Sequence, residues 1–108
     1  MEEFDIPKFK KVYDLYKEFY LCVINFPKSH KYSLGQKCES TISEILDCVL
    51  EASQLPKLEK IPYLEKASVK LNLLRIYTRL AKEVRAIDIN KYILIEEMIN
   101  EIGKMLGG

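Results

Sequence analysis

Apolar residues return every three or four positions through four long stretches of this chain, which is the period of an α-helix. That spacing limits the fold to helices packed side by side. In the first stretch Phe9, Val12, Tyr13, Tyr16, Phe19, Tyr20 and Val23 share one face, and Lys10, Asp14, Lys17 and Glu18 take the other, with Leu21 falling towards the polar side. A stripe this aromatic resembles a stacking platform for bases, but the spacing is explained by core packing. The spacing predicts a helix from Ile6 to Asn25, with Asp5 as N-cap and Pro7 in the tolerated first turn. A second helix is expected from Leu34 to Gln54, its apolar arc formed by Cys38, Ile42, Ile45, Leu46, Val49 and Ala52. Residues 55–62, with Pro56 and Pro62, read as a connection, and Pro62 fits the first turn of a third helix ending near Arg85. The fourth starts after Asp88, a good N-cap, and carries Tyr92, Ile95, Ile99, Ile102 and Leu106 on one face and Glu97, Glu101 and Lys104 on the polar side. Gly107 and Gly108 stop it. Four helices with short connections predict an all-α, up-down-up-down four-helix bundle forming one domain over residues 1–108.

The third helix has more apolar surface than one bundle core requires. Leu64, Ala67, Leu71, Leu74 and Ala81 make one strip, and Val69, Leu73, Ile76, Leu80 and Val84 make a second about half a turn away. Either this helix is buried centrally within one domain, or its second strip meets another subunit. Its remaining face carries Ser68, Asn72, Arg75, Arg79 and Lys82, and the three cations step four and three residues apart into a short basic ridge. From Lys66 to Arg85 six basic residues stand against Glu83 alone, whereas Glu39 to Glu51 holds four acids and no base. The net charge of +1 hides these segregated patches. Such a ridge binds phosphates, pairs with acids, including those of a neighbouring subunit, or is a solvated face.

Between the first two helices lies the corner Phe26-Pro27-Lys28-Ser29-His30-Lys31-Tyr32-Ser33-Leu34-Gly35-Gln36-Lys37. Pro27 cannot donate a backbone hydrogen bond, and its ring disfavours the helical conformation at Phe26. Lys28, Lys31 and Lys37 gather here with no acid among them, and Ser33 and Gln36 have the spacing of a capping box. The corner suits an anion, a partner protein, or simple solvation.

Other functions are excluded by inventory. The one histidine, His30, lies in the corner, so the carboxylates of the second helix lack the Glu-x-x-His partners of a bundle metal site. Cys22, Cys38 and Cys48 are odd in number, widely spaced and without a C-x-x-C pair, which reads as packing and as neither disulfide nor zinc chemistry. Gly-rich phosphate loops and Ser-His-Asp or Cys-His sets are missing, so the chain reads as a non-enzyme without cofactor, metal or catalytic residue. No apolar run approaches the ~18 residues of a membrane span. The acidic start, Met1-Glu2-Glu3-Phe4-Asp5, is wrong for a secretory signal, and the expectation is a cytoplasmic protein with no membrane partner.

The chain also resembles a known family. The strings Ile6-Pro7-x-Phe9-x-Lys11-x-Tyr13-Asp14-Leu15-Tyr16, Phe26-Pro27-Lys28-Ser29, Leu34-Gly35-Gln36, Arg79-Leu80-Ala81-Lys82 and Glu101-Ile102-Gly103-Lys104-Met105-Leu106-Gly107-Gly108 occur in an order similar to the Avd family, the accessory variability determinants of diversity-generating retroelements. That family is similar in turn to four-helix proteins encoded in intervening sequences of ribosomal RNA genes. Those carry paired arginines and a Pro-containing segment after the Phe-Pro corner, where this chain has Cys38-Glu39-Ser40-Thr41-Ile42-Ser43. The resemblance implies a homopentamer without a catalytic centre. It implies a protein that binds RNA or DNA and the element's reverse transcriptase and supports mutagenic reverse transcription. The expected contact residues are Arg75, Arg79 and Lys82 with Lys28, Lys31 and Lys37. Of these, Lys28, Arg79 and Lys82 lie within the resembling strings, and the rest follow from spacing and local charge. The expected oligomer interface is Val69, Leu73, Ile76, Leu80 and Val84. The alternative is a structural scaffold that recognises a protein and never touches nucleic acid.

Overall fold

The computed structural model describes residues 6–107 and holds four long helices, with no strand among the described residues. They are α1 (Ile6–Ile24), α2 (Gln36–Ser53), α3 (Lys57–Glu83) and α4 (Ile89–Gly107). The proposed N-cap, Asp5, lies outside the described residues. Each helix packs on the next, and α4 returns against α1, so α1 and α3 stand diagonally across the bundle. Two ion pairs fix the direction of α4: Lys11, early in α1, reaches Glu101, late in α4, at 2.7 Å, and Lys91, early in α4, reaches Glu18 at 2.7 Å. The result is an antiparallel four-helix bundle with extents of 43 × 21 × 21 Å.

One apolar row per helix fills the core: Val12, Leu15 and Phe19 from α1, Cys38, Ile42, Ile45 and Val49 from α2, Ala67, Leu71 and Leu74 from α3, and Ile95, Ile99 and Ile102 from α4. Two buried hydroxyls satisfy themselves. Thr41 Oγ1 donates to the Lys37 carbonyl at 2.7 Å, and Thr78 Oγ1 to the Leu74 carbonyl at 2.8 Å.

Three local expectations are corrected. The face of α1 that enters the core is rotated from the expected stripe: Leu15 and Cys22 are buried, whereas Tyr13 and Tyr20 are exposed at the α1/α2 edge. The stripe is wider than the contact one core requires, and tyrosines at its margin keep their hydroxyls in water. The Ser33–Gln36 capping box does not form. The chain re-enters helical geometry directly after Pro27, whose carbonyl accepts from the amides of His30 and Lys31 at 2.9 and 3.0 Å. A turn at Lys28–His30 runs through a π-helical segment, Lys31–Gly35, into α2, so no helix end exists at Ser33 to be capped. Its hydroxyl donates back to the carbonyls of His30 and Ser29 instead. Finally, α3 begins at Lys57, with Pro62 inside its second turn. Pro56 precedes the first helical residue, and the amide lost at Pro62 would have bonded the carbonyl of Leu58, a residue 80 % exposed.

The start of α4 is anchored as expected. Asp88 Oδ1 accepts from the Lys91 amide at 2.8 Å, an N-cap for α4. At the end of α3 the Ala86 amide bonds the Ala81 carbonyl at 2.8 Å and the Arg85 amide bonds Lys82 at 3.0 Å. This is a Schellman stop with Arg85 at φ 62°, the left-handed position that glycine usually fills.

Candidate nucleic-acid and partner interface

The six candidate cations fall into two groups on different parts of the bundle. Arg75, Arg79 and Lys82 follow one side of α3 along its seam with α4. Arg75 Nη1 donates to Asn100 Oδ1, Arg79 Nε meets Glu83 Oε2 at 3.2 Å within its own helix, and Lys82 Nζ lies 4.4 Å from the centre of the Tyr92 ring. The ridge therefore exists, and every member is engaged within the chain. Each engagement occupies only part of the cation's donor capacity: a guanidinium has five N–H donors and an ammonium three. Arg75 also lines an open groove of about 500 Å³ with Ser68, Asn72, Asn100, Gly103 and Lys104. A Cβ on Gly103 would stand 3.2 Å from Arg75 Nη2, so the glycine leaves the guanidinium room to lie against α4.

The corner group is held differently. Gly35 brings this segment against α1: a Cβ there would come within 2.9 Å of Val23 Cγ1, closer than side chains tolerate. Lys31 Nζ reaches the Ile24 carbonyl at 3.4 Å, capping the C-terminal, partly negative end of α1. Lys37 lines a second groove, of about 440 Å³, with Tyr32, Glu44, Lys70 and Tyr77, while Lys28 is exposed. In this seam Lys70 and Glu44 pair at 2.6 Å, and the hydrogen bond to that carboxylate raises the lysine above its ordinary range. One of the four acids between Glu39 and Glu51 thus has a cationic partner within the chain.

Val69, Ile76, Leu80 and Val84, the candidate oligomer strip, lie exposed on the outside of α3, and Leu73 is half-buried towards α2. Val69 and Ile76 are 66 % and 63 % exposed, so α3 is not a central helix buried on all sides.

The thiols are all buried and free. Burial pushes Cys38 up to about 12, with Glu39 adding to the effect, and raises Cys22 and Cys48 in the same direction. A thiol held protonated is a poor nucleophile. No group of His, Cys, Asp and Glu among the described residues is arranged to hold a metal ion. No described helix is long and apolar enough to cross a membrane.

Sequence reasoning missed two residues of this surface. Lys104 and Asn100 reach the Arg75 groove from α4, and spacing within one helix cannot show that. Arg85 follows α3, exposed and at a left-handed backbone position. Its signal was negative: the stop between α3 and α4 has no glycine.

Comparison with known families matches residues 8–108 to a family model described as bAvd-like. Comparison with curated proteins gave no match.

Proposed function

This chain belongs to the bAvd-like family, and from that membership we propose that it is the non-catalytic accessory protein of a diversity-generating retroelement. In this reading it assembles as a homopentamer, binds RNA or DNA and the element's reverse transcriptase, and supports mutagenic reverse transcription in the cytoplasm. The family match over residues 8–108 carries the proposal. The exposed strip of α3 supports the assembly, and the Arg75–Arg79–Lys82 ridge supports binding to phosphates or to the polymerase. The corner residues Lys28 and Lys37 extend the basic surface, while Lys31 is partly committed to the end of α1.

One observation favours a second reading, a scaffold for protein partners alone. Every cation of the ridge is already engaged inside the chain, and α2 presents Asp47 and Glu51 to solvent. Titrating a structured RNA and its DNA counterpart across a range of salt, with light scattering on the same samples, separates the two. Affinity that falls steeply with salt on a pentamer supports the accessory reading. A pentamer that binds neither, even at low salt, leaves the scaffold, with the polymerase as the next partner to test.

A further inference from the structure

A second exposed apolar surface lies across α1 and α2. Tyr13 and Tyr20, 54 % and 55 % exposed, line a shallow groove of about 350 Å³ with Tyr16, Lys17 and Leu46. Ile24, one turn beyond Tyr20, and Leu50, one turn beyond Leu46, continue it and are exposed as well. The strip on α3 has the opposite shape, a row of aliphatic side chains standing out from a single helix. Its helix is diagonal to α1, so strip and groove cannot cover each other within one chain.

Charged residues flank both surfaces. On α2, Asp47 and Glu51 follow Leu46 and Leu50 in sequence, and both are exposed and in no ion pair among the described residues. At the two ends of the strip, Lys66 and Arg85 are likewise exposed and without an ion pair among the described residues, as is Glu65 beside Lys66. Lys17, in the groove, is the one cation among its lining residues.

We propose that these surfaces are the two halves of one interface, in which the α3 strip of one copy seats in the α1/α2 groove of the next. The inference rests on the self-association proposed above and specifies its geometry. A symmetric pairing of strip on strip would leave the groove bare on both copies. A head-to-tail arrangement uses both surfaces of every copy, and it closes into a ring when the rotation between copies permits. Ridge into groove is also how helices pack inside a bundle.

Ile76→Glu disables the strip, and Tyr20→Glu disables the groove. Both positions are exposed, so each variant is expected to keep wild-type helicity and melting behaviour when diluted to monomer; should Tyr20→Glu melt early, Leu50→Glu replaces it. Each variant alone is expected to run as a monomer of the 12.6 kDa chain in size exclusion with light scattering. An equimolar mixture retains one intact strip and one intact groove, and is expected to give a one-to-one dimer at twice the monomer mass. A mixture that stays monomeric, beside an oligomeric wild type, overturns the head-to-tail pairing and leaves self-association standing. A Tyr20→Glu variant that still assembles also overturns it, and loss of RNA binding in that variant would make the groove a stacking surface instead. A monomeric wild type removes both this inference and the assembly it rests on.

Discussion

Two apolar rows run along α3 and meet opposite fates. Ala67, Leu71, Leu74 and Ala81 are buried, while Val69 and Ile76, on the same helix and of the same chemical kind, stand mostly in water. The difference lies outside the helix. The inner row faces the core rows of the other helices, and nothing among the described residues closes over the outer one. Exposed aliphatic side chains are common singly, whereas a row repeating over four turns is the kind of patch at which proteins in general meet partners. Helical periodicity therefore finds rows, and only the neighbouring elements decide which row is interior.

The largest effect should come from setting Leu74 against Ile76, two residues apart. Leu74→Ala empties a fully buried site and is expected to cost about 2–5 kcal/mol. Ile76→Ala, measured where the chain is monomeric, is expected to stay within about 0.5 kcal/mol of wild type. Urea unfolding of both variants checks this. An equal loss from Ile76→Ala would mean that the outer row is covered within the chain after all. The ridge beside the outer row should answer to a different measurement. The triple variant Arg75→Glu, Arg79→Glu and Lys82→Glu is expected to lose on the order of ten-fold in RNA affinity at ~0.1 M salt. It should flatten the salt dependence by roughly 0.7–0.9 in log–log slope for each phosphate that the ridge no longer neutralises. Its assembled mass should not change, whereas that of Ile76→Glu is expected to fall. If the triple variant dissociated as well, the two faces of α3 would be one interface.

What could be read from the residues follows the same division. Helix number, the inner rows of α2, α3 and α4, and the Asp88 cap were legible because period and capping chemistry are local. The inner face of α1 was not, because its stripe is wide enough to be rotated either way, and the choice of Leu15 over Tyr13 is made by what α2 and α4 place opposite. The corner misled for a related reason. Ser33 and Gln36 have the right spacing for a cap, but a cap needs a helix end, and the turn after Pro27 leaves none there. Of the candidate site, the ridge was legible as a row on one helix. Asn100, Tyr92 and Lys104, which orient or extend it, belong to α4 and become visible only when the two helices meet.

Arg85 offers a smaller test of whether the cationic side of α3 is maintained against stability. A non-glycine residue in the left-handed region costs about 1–2 kcal/mol, and this one occupies the usual glycine position of a Schellman stop. Arg85→Gly is expected to stabilise the chain by about 1 kcal/mol in thermal or urea unfolding and to weaken RNA binding by a few-fold. Greater stability with unchanged binding would remove Arg85 from the basic surface.

The smallest expected effect is at Gly103, where two terms oppose each other. Inside a helix, alanine is favoured over glycine by roughly 0.5–1 kcal/mol. Against that, the new methyl would stand 3.2 Å from Arg75 Nη2 and 3.6 Å from Leu71 Cδ2. The second distance is ordinary van der Waals packing, and the first is relieved by moving the end of a flexible side chain, so a net gain of about 0.5 kcal/mol is expected. That movement comes at the expense of the Arg75–Asn100 hydrogen bond. If the glycine serves to seat Arg75 in its groove, Gly103→Ala should melt slightly higher and bind RNA more weakly, by an amount that vanishes in an Arg75→Ala background. Equal weakening in that background would trace the loss to another part of the groove and separate the orientation of Arg75 from the function of the ridge.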